Sequence, residues 1–166
     1  VGLPLAAAAL AAGVVAVAWL LSPALATLLA GVLLFTTVSL RLLLSTTAEV
    51  VGLTETDPDA AREALRALAG RDATDLSPGQ IRSAAVESAA ENLADGFVAP
   101  LVGFASGATL GAVLGGSGGL LPLAAGVVGA AWVKAVNTLD SMLGYRSTPT
   151  GWASARLYDA AMLVPA

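Results

Sequence analysis

The sequence predicts an all-α, polytopic membrane protein: about four transmembrane helices in two hairpins, with two amphipathic helices in the intervening cytoplasmic loop. Composition is the first observation behind this. Of 166 residues, 57% are hydrophobic and 12% charged, with a mean hydropathy of +0.81. A soluble domain of this size carries about twice that charged fraction. The second observation is where charge is missing. No charged residue lies between Val1 and Leu40 or between Phe97 and Val133. Each blank stretch accommodates two helices of about 20 residues, the length that crosses roughly 30 Å of hydrocarbon. The third is punctuation by proline and glycine, which divides each blank into a hairpin.

The first hairpin, residues 3–44, pairs the spans Leu3–Leu21 and Pro23–Leu44. Pro23 ends one helix and can start the next, because it lacks an N–H and its φ suits a first helical position. Leu3–Leu21 lacks a preceding basic segment and is followed at once by a second span, so it reads as a membrane helix rather than a cleaved signal peptide. The segment 45–96 is polar and helical. Asp57-Pro58 reads as an N-cap with proline at N1, Gly70 stands where a C-terminal glycine belongs, and Ala61, Leu65 and Leu68 form a narrow apolar stripe. Ser77-Pro78-Gly79-Gln80 combines N1 proline with a capping box, which predicts a second helix running to about Ala94 and stopping at Gly96.

The second hairpin, residues 97–139, pairs Phe97–Leu114 with Leu120–Leu139 across Gly115-Gly116-Ser117-Gly118-Gly119. Gly103, Gly107, Gly111 and Gly115 repeat every fourth residue, a smooth face that admits another backbone closely. That face can pack within the chain or join two copies as a homo-oligomer. Residues 140–166 form a mixed cytoplasmic tail. The chain begins with Val1 and ends at Pro165-Ala166 without a polar tail, as expected of a fragment lacking both natural termini.

Arginines decide the orientation. Apart from Arg41, placed to snorkel from the second span, all lie in the 45–96 loop or the tail, and the two hairpin turns carry no charge. The positive-inside rule therefore puts both polar segments in the cytoplasm of a multi-pass cell-membrane protein. Absence of cysteine and histidine excludes thiolate chemistry and imidazole catalysis, so any metal site must be oxygen-rich. A net charge of −4 argues against nucleic acid as a partner. Seven arginines to one lysine, with acids gathered in one loop, resemble a salt-adapted composition.

Three clusters can carry chemistry. Glu87, Glu91 and Asp95 recur every four residues and would stack along one side of a helix, with Asn92 beside them and Val86, Ala89, Ala90 and Leu93 roughly opposite. The bland reading is a solvated face; the functional one is a magnesium-phosphate or general-base site. Lys134 lies inside the last span, followed by Asn137, Thr138, Asp140 and Ser141. It either snorkels to the interface or joins those polar neighbours in a site on the same membrane face as the acidic helix. Arg71-Asp72 is either an inter-helix ion pair or a guanidinium presented to phosphate. The glycine linker lacks the lysine of a phosphate loop and faces the opposite side; dinucleotide and serine-hydrolase fingerprints are absent.

Several of these pieces resemble the adenosylcobinamide-phosphate synthase family of cobalamin biosynthesis, known as CobD/CbiB. They are Gly70-Arg71-Asp72, Val86-Glu87-Ser88 with Ala90-Glu91-Asn92, Asp95-Gly96, Ala99-Pro100-Leu101, and Lys134 to Met142 continuing to Gly144-Tyr145. Weaker likeness persists through Ala155-Arg156-Leu157 and Pro165-Ala166. The sequence departs from the family pattern at Ala73, where threonine is usual, at Tyr158, where the first of two aspartates is usual, and at Met162, where asparagine is usual. The family's early Asp-Pro and His-Pro segment has no counterpart.

The resemblance implies an ATP-dependent amide ligase whose partners are a corrinoid substrate, adenosylcobyric acid, and an amino alcohol phosphate such as (R)-1-amino-2-propanol phosphate. It implies Mg2+ and ATP as well, the latter as co-substrate. On that reading Glu87, Glu91, Asp95, Lys134 and Asp140 are the catalytic candidates, with Glu91, Asp95 and Asp140 available to metal. Arg71, Asp72, Asn92, Asn137, Thr138 and Ser141 would bind substrate, Arg71 and Lys134 through phosphate oxygens. The competing readings are a non-enzymatic membrane sensor or scaffold, as in the distantly similar AmpE-like proteins, and a transporter using Lys134 and Asp140 as intramembrane charges.

Overall fold

The computed structural model describes residues 2–38, 40–69, 72–143 and 149–161, and among these residues every regular element is helical. The helices are α1 (Gly2–Leu21), α2 (Pro23–Thr37), α3 (Leu40–Thr56), α4 (Pro58–Ala69), α5 (Pro78–Leu93), α6 (Ala99–Gly115), α7 (Leu120–Leu143) and α8 (Pro149–Ala161), with a π-helical turn, Ala94–Val98, joining α5 to α6. Four helical stretches are long and apolar enough to cross a membrane. The protein is a multi-pass membrane protein. The chain divides into two compact units, one of residues 1–38 and 95–166, the other of residues 39–94.

In the first unit α7 is the hub, packing against α1, α2, α6 and α8. The α1–α2 turn forms as predicted: the Ser22 side chain accepts hydrogen bonds from the N–H groups of Ala24 and Leu25, and Pro23 follows in the first turn. Interior positions are mostly small or β-branched, among them Ala11, Val15, Ala18, Ala26, Ala30 and Val127. Large apolar side chains point outward instead, Leu20 being 84% exposed, Val113 78% and Phe35 77%. In water this surface would aggregate; in hydrocarbon it costs nothing, and the close approach of small residues supplies the packing.

The glycine stripe of α6 is spent inside this unit. A Cβ on Gly103 would stand 2.8 Å from the Gly129 carbonyl oxygen, one on Gly111 2.7 Å from that of Leu121, and one on Gly107 would overlap that of Ala125. Of the two uses open to this face, packing within the chain is the one seen, with α7 against it. The hairpin turns at Gly116, whose φ of +83° is a conformation glycine adopts without strain.

The second unit is a three-helix bundle of α3, α4 and α5 around Val50, Ala61, Leu65, Ala73, Ile81, Ala84 and Ala85. Asp57 caps α4 through the Ala60 N–H at 3.0 Å, and Ser77 and Gln80 form the predicted capping box on α5. Polar side chains cross-link the bundle. Arg82 donates to the Thr54 hydroxyl at 3.1 Å, and Arg62 Nε to the Leu76 carbonyl at 3.1 Å.

The structure corrects four expectations about the elements. The span Pro23–Leu44 ends at Thr37, where Val38 is extended, and the loop holds three helices rather than two because α3 begins at Leu40. Thr36 and Thr37 donate their hydroxyls to the carbonyls of Leu33 and Leu34, and such back-bonding competes with helix continuation. Gly96 does not stop α5, since the π turn carries the helix on into α6. Pro100 has no N–H for a carbonyl four residues back, and a widened turn absorbs that defect. The buried face of α5 is Ile81, Ala84, Ala85 and Ser88, leaving Val86, expected on the apolar side, 61% exposed. Part of the tail is helical, as α8. Gly70, expected to close α4, lies outside the described residues.

Candidate functional site

The α6–α7 register sets the chemistry of the first unit. Contacts of Gly103 with Gly129, Gly107 with Ala125 and Gly111 with Leu121 step by four residues in opposite directions along the two helices. The next step brings Ala99 level with Val133, and both are buried in one cluster with Trp132 and Tyr158 packed against it. Asp95 lies four residues before Ala99, in the π turn. There the Tyr158 hydroxyl, from α8, reaches both oxygens of the Asp95 carboxylate at 2.7 and 2.8 Å. The ring thus packs beside Ala99 and Val133 while its hydroxyl holds the carboxylate in the π turn.

Asp140 follows Val133 by seven residues, two helical turns, and so shares the α7 face that meets Ala99. Its Oδ1 is buried. Lys134 lies about 100° round the helix from Val133 and turns elsewhere. It lines a cavity of about 320 Å³ formed by α1, α2 and α7, among residues that include Ala7, Leu10, Leu34, Thr37 and Ala131. Lys134 and Asp140, expected in one site, thus stand about 120° apart around α7. Thr138 and Ser141 donate their hydroxyls to the carbonyls of Lys134 (2.9 Å) and Asn137 (3.0 Å), four residues back. Their oxygens remain as exposed acceptors.

The remaining candidates belong to the second unit. Glu87, Glu91 and Asn92 are exposed on α5, and the Asn92 amide donates to the Ser88 carbonyl at 2.9 Å. Asp72 organises its own loop: it accepts from the Thr74 hydroxyl (2.5 Å) and N–H (3.0 Å), with Arg66 at 3.9 Å. The Thr74 bonds, side chain first, hold its carboxyl below the ordinary carboxylate range. Arg71 lies outside the described residues.

Among the described residues, no three acidic side chains gather into a group that could hold a metal ion. Of the metal candidates, Asp95 and Asp140 lie in the first unit and Glu91 in the second. Magnesium arriving on phosphates needs only one or two carboxylates, so the donor set fits such an ion better. Tyr158 is the residue that sequence reasoning passed over. It stands 63 positions from Asp95 with no periodicity linking them, although it marks a departure from the resembled family.

A family model described as CobD/Cbib protein matches residues 1–166. The chain belongs to the CobD/Cbib family. It is similar to a probable cobalamin biosynthesis protein CobD of Methanothermobacter thermautotrophicus, 34% identical over 141 residues, 83% of this chain and 41% of the relative. The CobD of Rhodobacter capsulatus is 39% identical over 143 residues, covering 84% of this chain and 40% of the relative. A probable CobD of Methanothrix thermoacetophila is 38% identical over 145 residues, 86% and 42% respectively. The chain spans about two-fifths of the length of these CobD relatives. No solved structure matches.

Proposed function

We propose that the protein acts in cobalamin biosynthesis, in ATP-dependent amide-bond formation between a propionate of adenosylcobyric acid and an amino alcohol phosphate such as (R)-1-amino-2-propanol phosphate, giving adenosylcobinamide phosphate. Family membership across all 166 residues supports the pathway. The observation that supports the chemistry is the Asp95 carboxylate, held by Tyr158 at the polar end of the α6–α7 hairpin.

Amide formation asks three things of the protein. A carboxylate must be activated, an ammonium must lose a proton, and phosphates must be held in place. Magnesium ATP would supply the phosphoryl group for activation. Asp95 is suited to accept the proton of the attacking amine, because Tyr158 fixes its carboxylate and a general base must be in position before its basicity matters. Asp140, on the same side of α7, would share the charge of the phosphates' magnesium. Asn137, one turn beyond Val133 on α7, would orient the substrate. Glu87, Glu91, Arg71, Asp72 and Asn92 belong to the segment Ser45–Gly96, whose arginines support a cytoplasmic placement. Glu91 is proposed as a further carboxylate for the reaction. Lys134 takes no part in this scheme.

The test is direct. Purified protein in nanodiscs receives adenosylcobyric acid, aminopropanol phosphate and magnesium ATP, and the corrinoid is followed by mass spectrometry. Asp95→Asn is expected to lower turnover at least about 100-fold, the usual scale for removing a general base, and Tyr158→Phe is expected to lower kcat more than it raises KM. Folded protein that gives no amide product overturns the ligase reading. A Glu91→Ala enzyme with unchanged turnover removes that residue alone.

A further inference from the structure

Lys134 lines an apolar, half-open cleft of the membrane-spanning unit. None of the ion pairs among the described residues involves it. An ammonium at membrane depth is costly unless it meets an anion, water or the interface. The cavity around it, about 320 Å³ between α1, α2 and α7, is walled by Ala7, Leu10, Val14 and Ala131, with Thr36 and Thr37 as the other polar residues. The end of α2 does not explain the lysine as a helix cap. Thr37 already donates to the Leu34 carbonyl at 2.6 Å, and the Val38 N–H to that of Phe35 at 3.1 Å. The threonine hydroxyl hydrogens being spent on α2 carbonyls, their oxygens offer only acceptance.

The 15 residues of α2 rise only about 22 Å, short of roughly 30 Å of hydrocarbon. Thr36 and Thr37 are its last two residues, and Lys134 shares their cavity. A ligand that matches this cavity has an anion for the ammonium, hydroxyl donors for the threonine oxygens and an alkyl chain for the apolar wall.

The geometry points to a binding site for an anionic phospholipid with a glycerol headgroup: phosphate on Lys134, headgroup hydroxyls on Thr36 and Thr37, and one acyl chain along Ala7, Leu10, Val14 and Ala131. The site is distinct from the Asp95–Tyr158 face of α7, and its binding requires neither corrinoid nor nucleotide.

Delipidated protein in neutral detergent, titrated with phosphatidylglycerol and read by native mass spectrometry, tests this without any turnover assay, so its failure leaves the ligase reading untouched. Saturable retention of one phosphatidylglycerol is expected, with phosphatidylcholine held at least about fivefold more weakly, the scale for one lysine at an anionic lipid surface. Lys134→Gln should abolish that preference and Lys134→Arg preserve it. Ala131→Phe, which fills the acyl wall, should weaken both lipids while the charge remains. If Lys134→Gln fails to fold, Lys134→Arg and Ala131→Phe still decide. Equal retention of both lipids by the wild type, displacement by millimolar inorganic phosphate alone, or a second copy of the chain seated in place of lipid would each overturn the proposal.

Discussion

The two units of this chain solve opposite packing problems. The α3–α5 bundle gathers Val50, Leu65 and Ile81 into its centre and leaves charged groups such as Asp59 and Glu63 outside. The α1–α2–α6–α7–α8 unit does the reverse. Alanine and glycine fill its interior, while leucines, valines and Phe35 face outward. In water the hydrophobic effect rewards burying large side chains. In lipid that reward vanishes, and stability comes from backbones brought into close contact through small residues. One chain therefore holds two cores built by different rules.

The contrast can be broken most strongly at Leu65, fully buried in the bundle. Leu65→Ala should cost about 2–5 kcal/mol by transfer and cavity formation, seen as early loss of bundle amide protection in hydrogen exchange. An equal loss from Leu20→Ala, on the outward face of α1, would contradict the inside-out description. Next in size is a pair of identical substitutions with opposite signs. Gly107→Ala forces a Cβ onto the Ala125 carbonyl and should destabilise the α6–α7 hairpin by about 1–3 kcal/mol, whereas Gly52→Ala, in α3 with open space around it, should stabilise its helix by about 0.5–1 kcal/mol. Thermal unfolding of both variants in one detergent checks the pair, and destabilisation by both would dissolve the comparison.

The smallest effect sharpens the watery side. The folded carboxyl of Asp72 titrates below its unfolded value, chiefly through Thr74. Its contribution is therefore fully present above the unfolded carboxylate range near pH 4, and it is lost as pH falls through the lower folded value. Thr74→Val should move the Asp72 titration up toward the ordinary carboxylate range, measured by carboxyl-carbon NMR, with stability near pH 7 only slightly reduced. An unmoved titration would show that Thr74 does not hold the carboxylate.

Local signals were the most legible ones. The Ser22-Pro23 turn, the Asp57 cap and the Ser77–Gln80 capping box each depend on a few adjacent residues, and each forms as the sequence predicts. The break at Val38 was harder to see. Leucines continue through it, and the threonine back-bonding that ends α2 leaves no mark in hydropathy. The run-on of α5 through Gly96 was hidden for a related reason. Gly96 reads as a stop, yet a π turn carries the helix through it.

By itself the sequence determined that this is a helical membrane protein, where its helices cap, and which residues carry charge, because hydropathy, capping and periodicity act over a few residues. Only the tertiary structure decided that the glycine face is closed by α7, that Tyr158 holds Asp95, and that Lys134 turns away from both toward α1 and α2. Those are long-range contacts. They follow from the register and rotation of one helix against another, which many weak contacts set together and no single stretch of residues encodes.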